Sequence, residues 1–231
     1  ALPLAKPARG PQTWRDPATR RTSPHPSPES QVSEIKIHWF LPTGGDSRDI
    51  LPTGDDAHRR APSQAYLAHI ARACDDLGFD AVLTPCGTGC EDAWITTASL
   101  IPMTRRLKFL VAFRPGLLNP TLAAQMASTY QRMSGGRLLV NIVIGAEPSE
   151  LARFGDHRSK EERYERSAEF LDVMYGAWGD EPYDFNGEHY TIEGATTRKA
   201  PLPRPEIYFG GASPAAGMTL ACYYPFSQTP W

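Results

Sequence analysis

The sequence predicts an α/β protein with a parallel sheet, and within that class a (β/α)8 barrel in preference to an open doubly wound sheet. Three observations carry this. From residue 35 onward, short apolar runs alternate with helix-period segments, the pattern of strand–helix–strand crossovers. The turn after the first strand, Pro42-Thr-Gly-Gly45, opens no G-x-G-x-x-G segment, so the dinucleotide-binding turn of the doubly wound fold is missing. A long polar insert at 44–63 and a hairpin-like insert at 183–194 read as loops added at strand ends, where barrels build their sites.

The elements follow in order. Ile35 to Phe40 reads as a buried strand. A helix is expected over 64–77, because Leu67, Ile70, Cys74 and Leu77 share one helical face and Gly78 suits a C-terminal stop. Ala81 to Pro85 is a short strand, 91–102 a helix, and Leu107 to Phe113 a third strand. The next helix is punctuated by Asn119 as cap, Pro120 in the first turn and Gly135-Gly136 as stop. Arg137 to Gly145 is the fourth strand, and a helix covers 160–178 with Tyr164, Ala168 and Leu171 on one stripe. Two alternating runs around Asn186-Gly187 give a hairpin signal, and Glu206 to Gly211 is the fifth core strand.

Composition narrows the function classes. The chain has 231 residues, 41% hydrophobic and 22% charged, which suits one globular domain with tails. A formal net charge of -2 provides no basic surface for nucleic acid. No run of 18 apolar residues exists, so no membrane span is expected, and the start lacks a secretory signal pattern. Four scattered cysteines are too sparse for a disulfide scaffold, so the expected location is cytoplasmic. The ends differ from the middle. Residues 1–33 hold seven of the 22 prolines and almost no large apolar side chains, and are expected to be disordered. Residues 218–231 carry no charge and four aromatic side chains, atypical of an exposed C-terminus.

In a barrel, the residues just past each strand matter most. GGASPAAG at 210–217 would bring backbone close to a ligand, and Ser213-Pro214 would begin a helix whose N–H groups attract anions; a plain tight turn is the competing reading. Cys86 and Cys90 lack partners for a zinc site and lack C-x-x-C spacing. Cys90 sits at a helix start, which favours a thiolate, whereas Glu91 and Asp92 oppose it; a small buried cysteine is the alternative. The histidines show no metal spacing, and His157 serves a cap or catalysis equally well. The run 159–166 reads as a solvated first helical turn from which Tyr164 alone could point inward.

Several segments together resemble the flavin-dependent, bacterial-luciferase-like family, and within it the alkanesulfonate monooxygenases. They are WFLPTGGD (39–46), CEDAW (90–94), LIPMTRRLKFLVAFRP (100–115), RMSGGRLLVNIVIG (132–145), ERYERSAEF (162–170), DFNGEHY (184–190) and IYFGGASPAA (207–216). The resemblance spans about residues 35–217 and implies a TIM-like barrel, of which five of eight strands are legible. It implies reduced FMN (FMNH2) as a diffusible cosubstrate, an NAD(P)H:FMN reductase as partner, and O2 and a small organosulfonate as substrates, with aldehyde and sulfite as products. A homo-oligomer is compatible with it.

By position, Cys90 resembles the active-site cysteine of the sulfonate enzymes. Asn141 matches a position near the isoalloxazine ring, Tyr164 a tyrosine that reaches the FMN phosphate, and Gly211, Ala212 and Ser213 the phosphate-binding turn. Three departures stand out: Gly44 replaces a histidine, Ile144 a threonine, and the family pattern breaks at Gly217. The break makes a C-terminally truncated, inactive fragment one expectation. An oxidoreductase of the same family acting on another substrate is a further one.

Overall fold

The computed structural model describes residues 35–47 and 59–210. The chain divides into two units, 1–35 and 36–231, and the architecture below is that of the second. The expectations for residues 1–33 and 218–231 lie outside the described residues.

The elements are β1 (His38–Phe40), β2 (Asp46–Ser47), β3 (Arg59–Arg60), α1 (Gln64–Leu77), β4 (Ala81–Thr84), α2 (Ala93–Leu100), a 3-10 turn (Ile101–Met103), β5 (Lys108–Phe113), α3 (Pro120–Ser134), β6 (Leu138–Val143), α4 (Pro148–Arg153), α5 (Lys160–Gly176), β7 (Tyr183–Asn186), β8 (Thr191–Ala195) and β9 (Glu206–Gly210). Strands β1-β4-β5-β6-β9 form a sheet in that order, every pair parallel. The helices start and stop as their sequences dictate. Asn119 accepts from Thr121 N and Leu122 N, Gly135 closes α3 in the left-handed region, and Ser159 and Glu162 form a capping box on α5.

The sheet is curled. In a flat five-stranded sheet the outer strands stand four spacings, about 19 Å, apart. Here the His38 ring on β1 meets the Tyr208 ring on β9 with centroids 5.6 Å apart, and Lys36 Nζ lies 3.1 Å from a Glu206 oxygen. First and last strands therefore face each other across a concave interior, which is barrel curvature and excludes the open sheet. His38, Ala81, Leu110, Leu139, Asn141 and Tyr208 lie on this inner face, as the register requires.

The opposite face carries the main core. Phe109, Val111, Leu138, Val140, Ile142 and Ile207 pack against Ala71, Ala124, Phe170, Leu171, Met174 and Trp178, all of them buried. Each large apolar side chain buried there contributes roughly 1.5–3 kcal/mol. Small residues on α3 (Ala123, Ala124, Ala127) let that helix approach closely, and Trp178 Nε1 donates to Ala124 O at 3.0 Å.

At the N-terminal end of the strands, side chains stitch backbone to backbone. The Asp75 carboxylate accepts from the N–H groups of Arg105 (2.8 Å), Arg106 (2.9 Å) and Leu107 (2.7 Å). Gln131 accepts from Leu138 N and donates to Pro203 O. Arg137 donates to Thr104 Oγ1, Ile101 O and Leu107 O.

Some expectations fail for physical reasons. The first strand is short and half-exposed rather than buried, because β1 has one neighbour, β4, among the described strands; Trp39 and Phe40 are each 52% exposed. Leu77 is exposed at the last position of α1. The hairpin does not turn on a two-residue Asn-Gly. Its connection runs through 187–190, where the Glu169 carboxylate accepts from the N–H groups of Glu188, His189 and Tyr190. A Cβ at Gly187 would lie 2.5 Å from that carboxylate, so this glycine serves close approach. Helix α4 is hidden in a segment that reads as loop; Pro148 opens it and Glu147 caps it. The run 159–166 is not a purely solvated turn, because Arg163, Tyr164 and Arg166 are buried.

Candidate functional site

The C-terminal strand ends hold two cavities. One, of about 530 Å3, lies past β4 and β5 and is lined by Cys86, Cys90, Trp94, Arg114, Leu117 and Phe154, among others. The other, of about 510 Å3, lies past β6 and before α5, lined by Gly145, Ala146, His157, Arg158, Lys160 and Arg163, among others.

The first cavity is mostly apolar with one charged pair. Arg114, immediately past β5, is buried and donates Nη2 to Glu150 on α4 at 2.5 Å. The other Glu150 oxygen accepts from Thr88 N at 3.1 Å, so this carboxylate ties the β4–α2 loop to α4. Arg114 holds the Glu150 carboxyl below its ordinary value. Among the described residues, Arg114 Nε and Nη1 and Trp94 Nε1 are buried without hydrogen-bond partners.

Cys90 lines this cavity, just before Asp92, whose side chain caps α2 by accepting from Ile95 N. Its thiol contacts Gly87 O at 3.4 Å. Burial pushes the Cys90 thiol up, with the Thr43 hydroxyl pulling it back, and burial pushes Cys86 up to about 11. Both are thiols at neutral pH, so the thiolate suggested by the helix start does not form. Gly44 lies beneath the same loop, and a Cβ there would meet Gly89 O at 2.9 Å. A histidine at 44 would require the loop to shift.

The second cavity is cationic. Arg163 is buried, and its guanidinium donates to the carbonyl oxygens of Ile144, Gly145 and Arg158. Among the described residues, no carboxylate pairs with it. Asp156, at the same cavity, is bound to Arg166; burial would raise its carboxyl, but the Arg166 hydrogen bond and charge hold it below the usual range. Gly116 lies over Arg166 with φ +95°, where a Cβ would strike the guanidinium. His157 is exposed and lines the cavity, while the cap of α5 falls to Ser159.

The predicted site residues are therefore spread over both faces of the sheet. Asn141 lies on the inner face of β6, in register with Ala112, which lines the first cavity, and with Tyr208. Tyr164 lies on the helix face, buried and stacked on Phe209 with centroids 6.0 Å apart. Gly211, Ala212 and Ser213 lie outside the described residues. Arg114, Glu150, Trp94 and Arg163 were not singled out from sequence. The signal for Arg114 was its place directly after a barrel strand; Arg163 was hidden in a charged run. Among the described residues, no His/Cys/Asp/Glu group could hold a metal ion, and no helix is long and apolar enough to cross a membrane.

Comparison with known proteins decides the family. The family model for luciferase-like monooxygenases matches residues 35–224. The chain belongs to the luciferase-like monooxygenase family. Solved structures agree on the fold. An EDTA monooxygenase from Chelativorans sp. BNC1 is 18% identical with a TM-score of 0.71, covering 81% of this chain and 51% of that one. A long-chain alkane monooxygenase is 18% identical with a TM-score of 0.68, covering 81% and 54%. An F420-dependent secondary alcohol dehydrogenase is 21% identical with a TM-score of 0.65, covering 78% and 53%. The chain thus spans about half the length of these luciferase-like structures, and its five parallel strands match part of their barrels.

Proposed function

We propose that this chain contributes to a reduced-flavin- and O2-dependent monooxygenase acting on a small organosulfonate, with aldehyde and sulfite as products. The observation that carries the flavin reading is the cationic cavity past β6. Arg163 there is a buried cation with carbonyl partners, flanked by Arg158 and Lys160 at the start of α5. A phosphate at this place meets positive charge from Arg163, Lys160 and the helix N-terminus, with Arg158 shared with Asp156 at 3.7 Å. Tyr164 follows Arg163 directly in sequence, and β9, the strand beside β6, ends at Gly210. The residues fit a flavin phosphate.

Reduced FMN, when bound, would supply the electrons and the atom at which O2 is activated. The chain's residues would do the rest. Arg163 and its neighbours would anchor the phosphate, and Asn141 would offer its amide to the ring from the inner face. Cys90, a thiol, would donate a hydrogen bond at the edge of the apolar cavity. Trp94, Phe113 and Leu117 would keep that cavity dry, which strengthens every polar contact within it. The electrons would come from an NAD(P)H:FMN reductase.

The test is an anaerobic titration of the 231-residue chain with reduced FMN, followed by tryptophan fluorescence. Saturable quenching is expected, with Arg163→Gln weakening it by roughly tenfold or more, the worth of a charge-assisted contact. No saturation sinks the flavin reading. Gly44 in place of a histidine leaves open a second reading within the family, an oxygenase for another substrate or hydride transfer on a deazaflavin. Oxygen consumption by the chain together with its reductase separates the two.

A further inference from the structure

The loop between β4 and α2 carries two cysteines, Cys86 and Cys90, of which the flavin reading uses one. Both are free thiols, both are half-buried, and both line the same cavity wall. The loop folds residue 90 back onto residues 85–87. Cys90 N donates to Gly87 O at 3.4 Å, which closes a tight turn. Cys90 Sγ lies 3.4 Å from Gly87 O and 3.7 Å from Pro85 O, over the backbone on both sides of Cys86. In a planar peptide a carbonyl oxygen is less than about 3 Å from the next Cα, so the Cys90 sulfur lies within about 7 Å of the Cys86 Cα. The loop is pinned from two directions. Thr88 N donates to Glu150 on α4 at 3.1 Å, and Glu91 N donates to Thr43 O at 3.0 Å.

We propose that Cys86 and Cys90 are a reversible redox pair, closed into an intrachain disulfide by exchange with a small disulfide such as glutathione disulfide. Rotation of the two side chains about χ1 closes the gap between the sulfurs. Burial is the main cause that pushes the Cys86 thiol up to about 11, and Cys90 adds to it; burial also raises Cys90. Cys86 carries the larger rise, so Cys90 attacks first. Its thiolate bonds to one sulfur of glutathione disulfide, the S–S bond breaks, and one glutathione leaves as thiolate and takes a proton. The Cys86 thiolate then bonds to the Cys90 sulfur and expels the second glutathione. The two protein thiols lose two electrons, and glutathione disulfide gains them and both protons. Raised thiols make this exchange slow and its product durable, because no stabilised thiolate favours the reduced pair. The bridge consumes the Cys90 thiol and so removes a donor from the cavity edge. That regulatory consequence rests on the monooxygenase reading above; the bridge itself does not.

The experiment equilibrates the full chain in glutathione buffers of rising disulfide content, then blocks free thiols under denaturing conditions and cleaves before aspartates. Residues 80–91 form one such peptide, which holds Cys86 and Cys90 and no other cysteine. The chain should lose two of its four thiols, and this peptide should be lighter by two hydrogens and unblocked. Dithiothreitol should restore both thiols. Cys86→Ser should halt the exchange at one glutathione on Cys90, and Cys86→Ala serves should that variant fail to fold. The same titration in urea reads what the fold contributes. Half-oxidation should need roughly tenfold more glutathione disulfide there, the combined worth of the two pinning hydrogen bonds. A folded chain that stops at the glutathione adduct, that keeps all its thiols, or that bridges no more readily than the chain in urea overturns the assignment. Reduced FMN that binds to a chain forming no bridge sinks this assignment alone. A bridge in a chain that binds no reduced FMN sinks the flavin reading alone.

Discussion

The two ends of the strands spend their polar groups in opposite ways. At the N-terminal end, Asp75, Gln131 and Arg137 give their hydrogen-bonding capacity to backbone, tying α1, α3 and the strand starts together. At the C-terminal end, among the described residues, Arg114 and Trp94 keep buried donors unmet, and Arg163 keeps its charge without a carboxylate. Satisfied groups hold a fold; unsatisfied ones are a cost the fold bears, and in barrels they gather where ligands bind. The difference separates residues whose loss costs stability from residues whose loss costs binding.

The largest effect is expected from breaking the stitched end. Asp75→Ala strands three backbone N–H groups and should destabilise the chain by about 3 kcal/mol or more, read as a fall in urea midpoint. Arg114→Met tests the other end. It removes a buried cation and two unmet donors and releases Glu150, whose side chain is 25% exposed, to water, so these changes offset and the unfolding free energy from urea titration should change by less than about 1 kcal/mol. A large loss there would erase the contrast.

Acid sharpens the comparison further. Burial alone would raise the Asp75 carboxyl, but the N–H groups of Arg105, Arg106 and Leu107 outweigh it and hold it low. A depressed folded pKa adds stability above the unfolded value, near 4, and that stability disappears as pH falls through the folded value. Asp156 and Glu150 are depressed as well. Urea midpoints measured from pH 7 down to 2 should therefore fall below about pH 4. Asp75→Asn should flatten part of that fall.

The smallest effect concerns reactivity. With its thiol raised by burial, Cys90 should alkylate with iodoacetamide more slowly than a small-molecule thiol at pH 7, and faster as pH rises. Rapid labelling at pH 7 would show a thiolate.

Much of this fold is legible in the sequence, because periodicity and punctuation are local. Asn119, Pro120 and Gly135 place α3 to the residue, and the fifth core strand, expected over Glu206 to Gly211, is observed over Glu206–Gly210. The curl of the sheet is not legible in any one segment. It depends on His38 meeting Tyr208, residues whose separate strand patterns say nothing of each other. Of the residues expected at the site, Cys90 lines the first cavity, and Asn141 lies within β6 on the inner face of the sheet. The site was not legible for Arg163 and Arg166, because a charged run looks solvated until tertiary carbonyls and Asp156 are brought to it. Tyr164 was read as inward-pointing, and it is, but toward Phe209 on the helix side.

The order of the strands in the sheet is also their order along the chain. A chain emerging from its N-terminus could therefore add each strand to an edge already laid down, without threading between finished pairs. The Lys36–Glu206 pair bridges 170 positions, as does the His38–Tyr208 ring contact, and it departs from this neighbour-by-neighbour order. It can form only after β9 has been added, when most of the loop-closure entropy has already been met by the neighbouring strand pairs. That contact therefore follows the addition of β9, and its appearance in a refolding experiment would time the moment at which the five-stranded sheet becomes a curved wall.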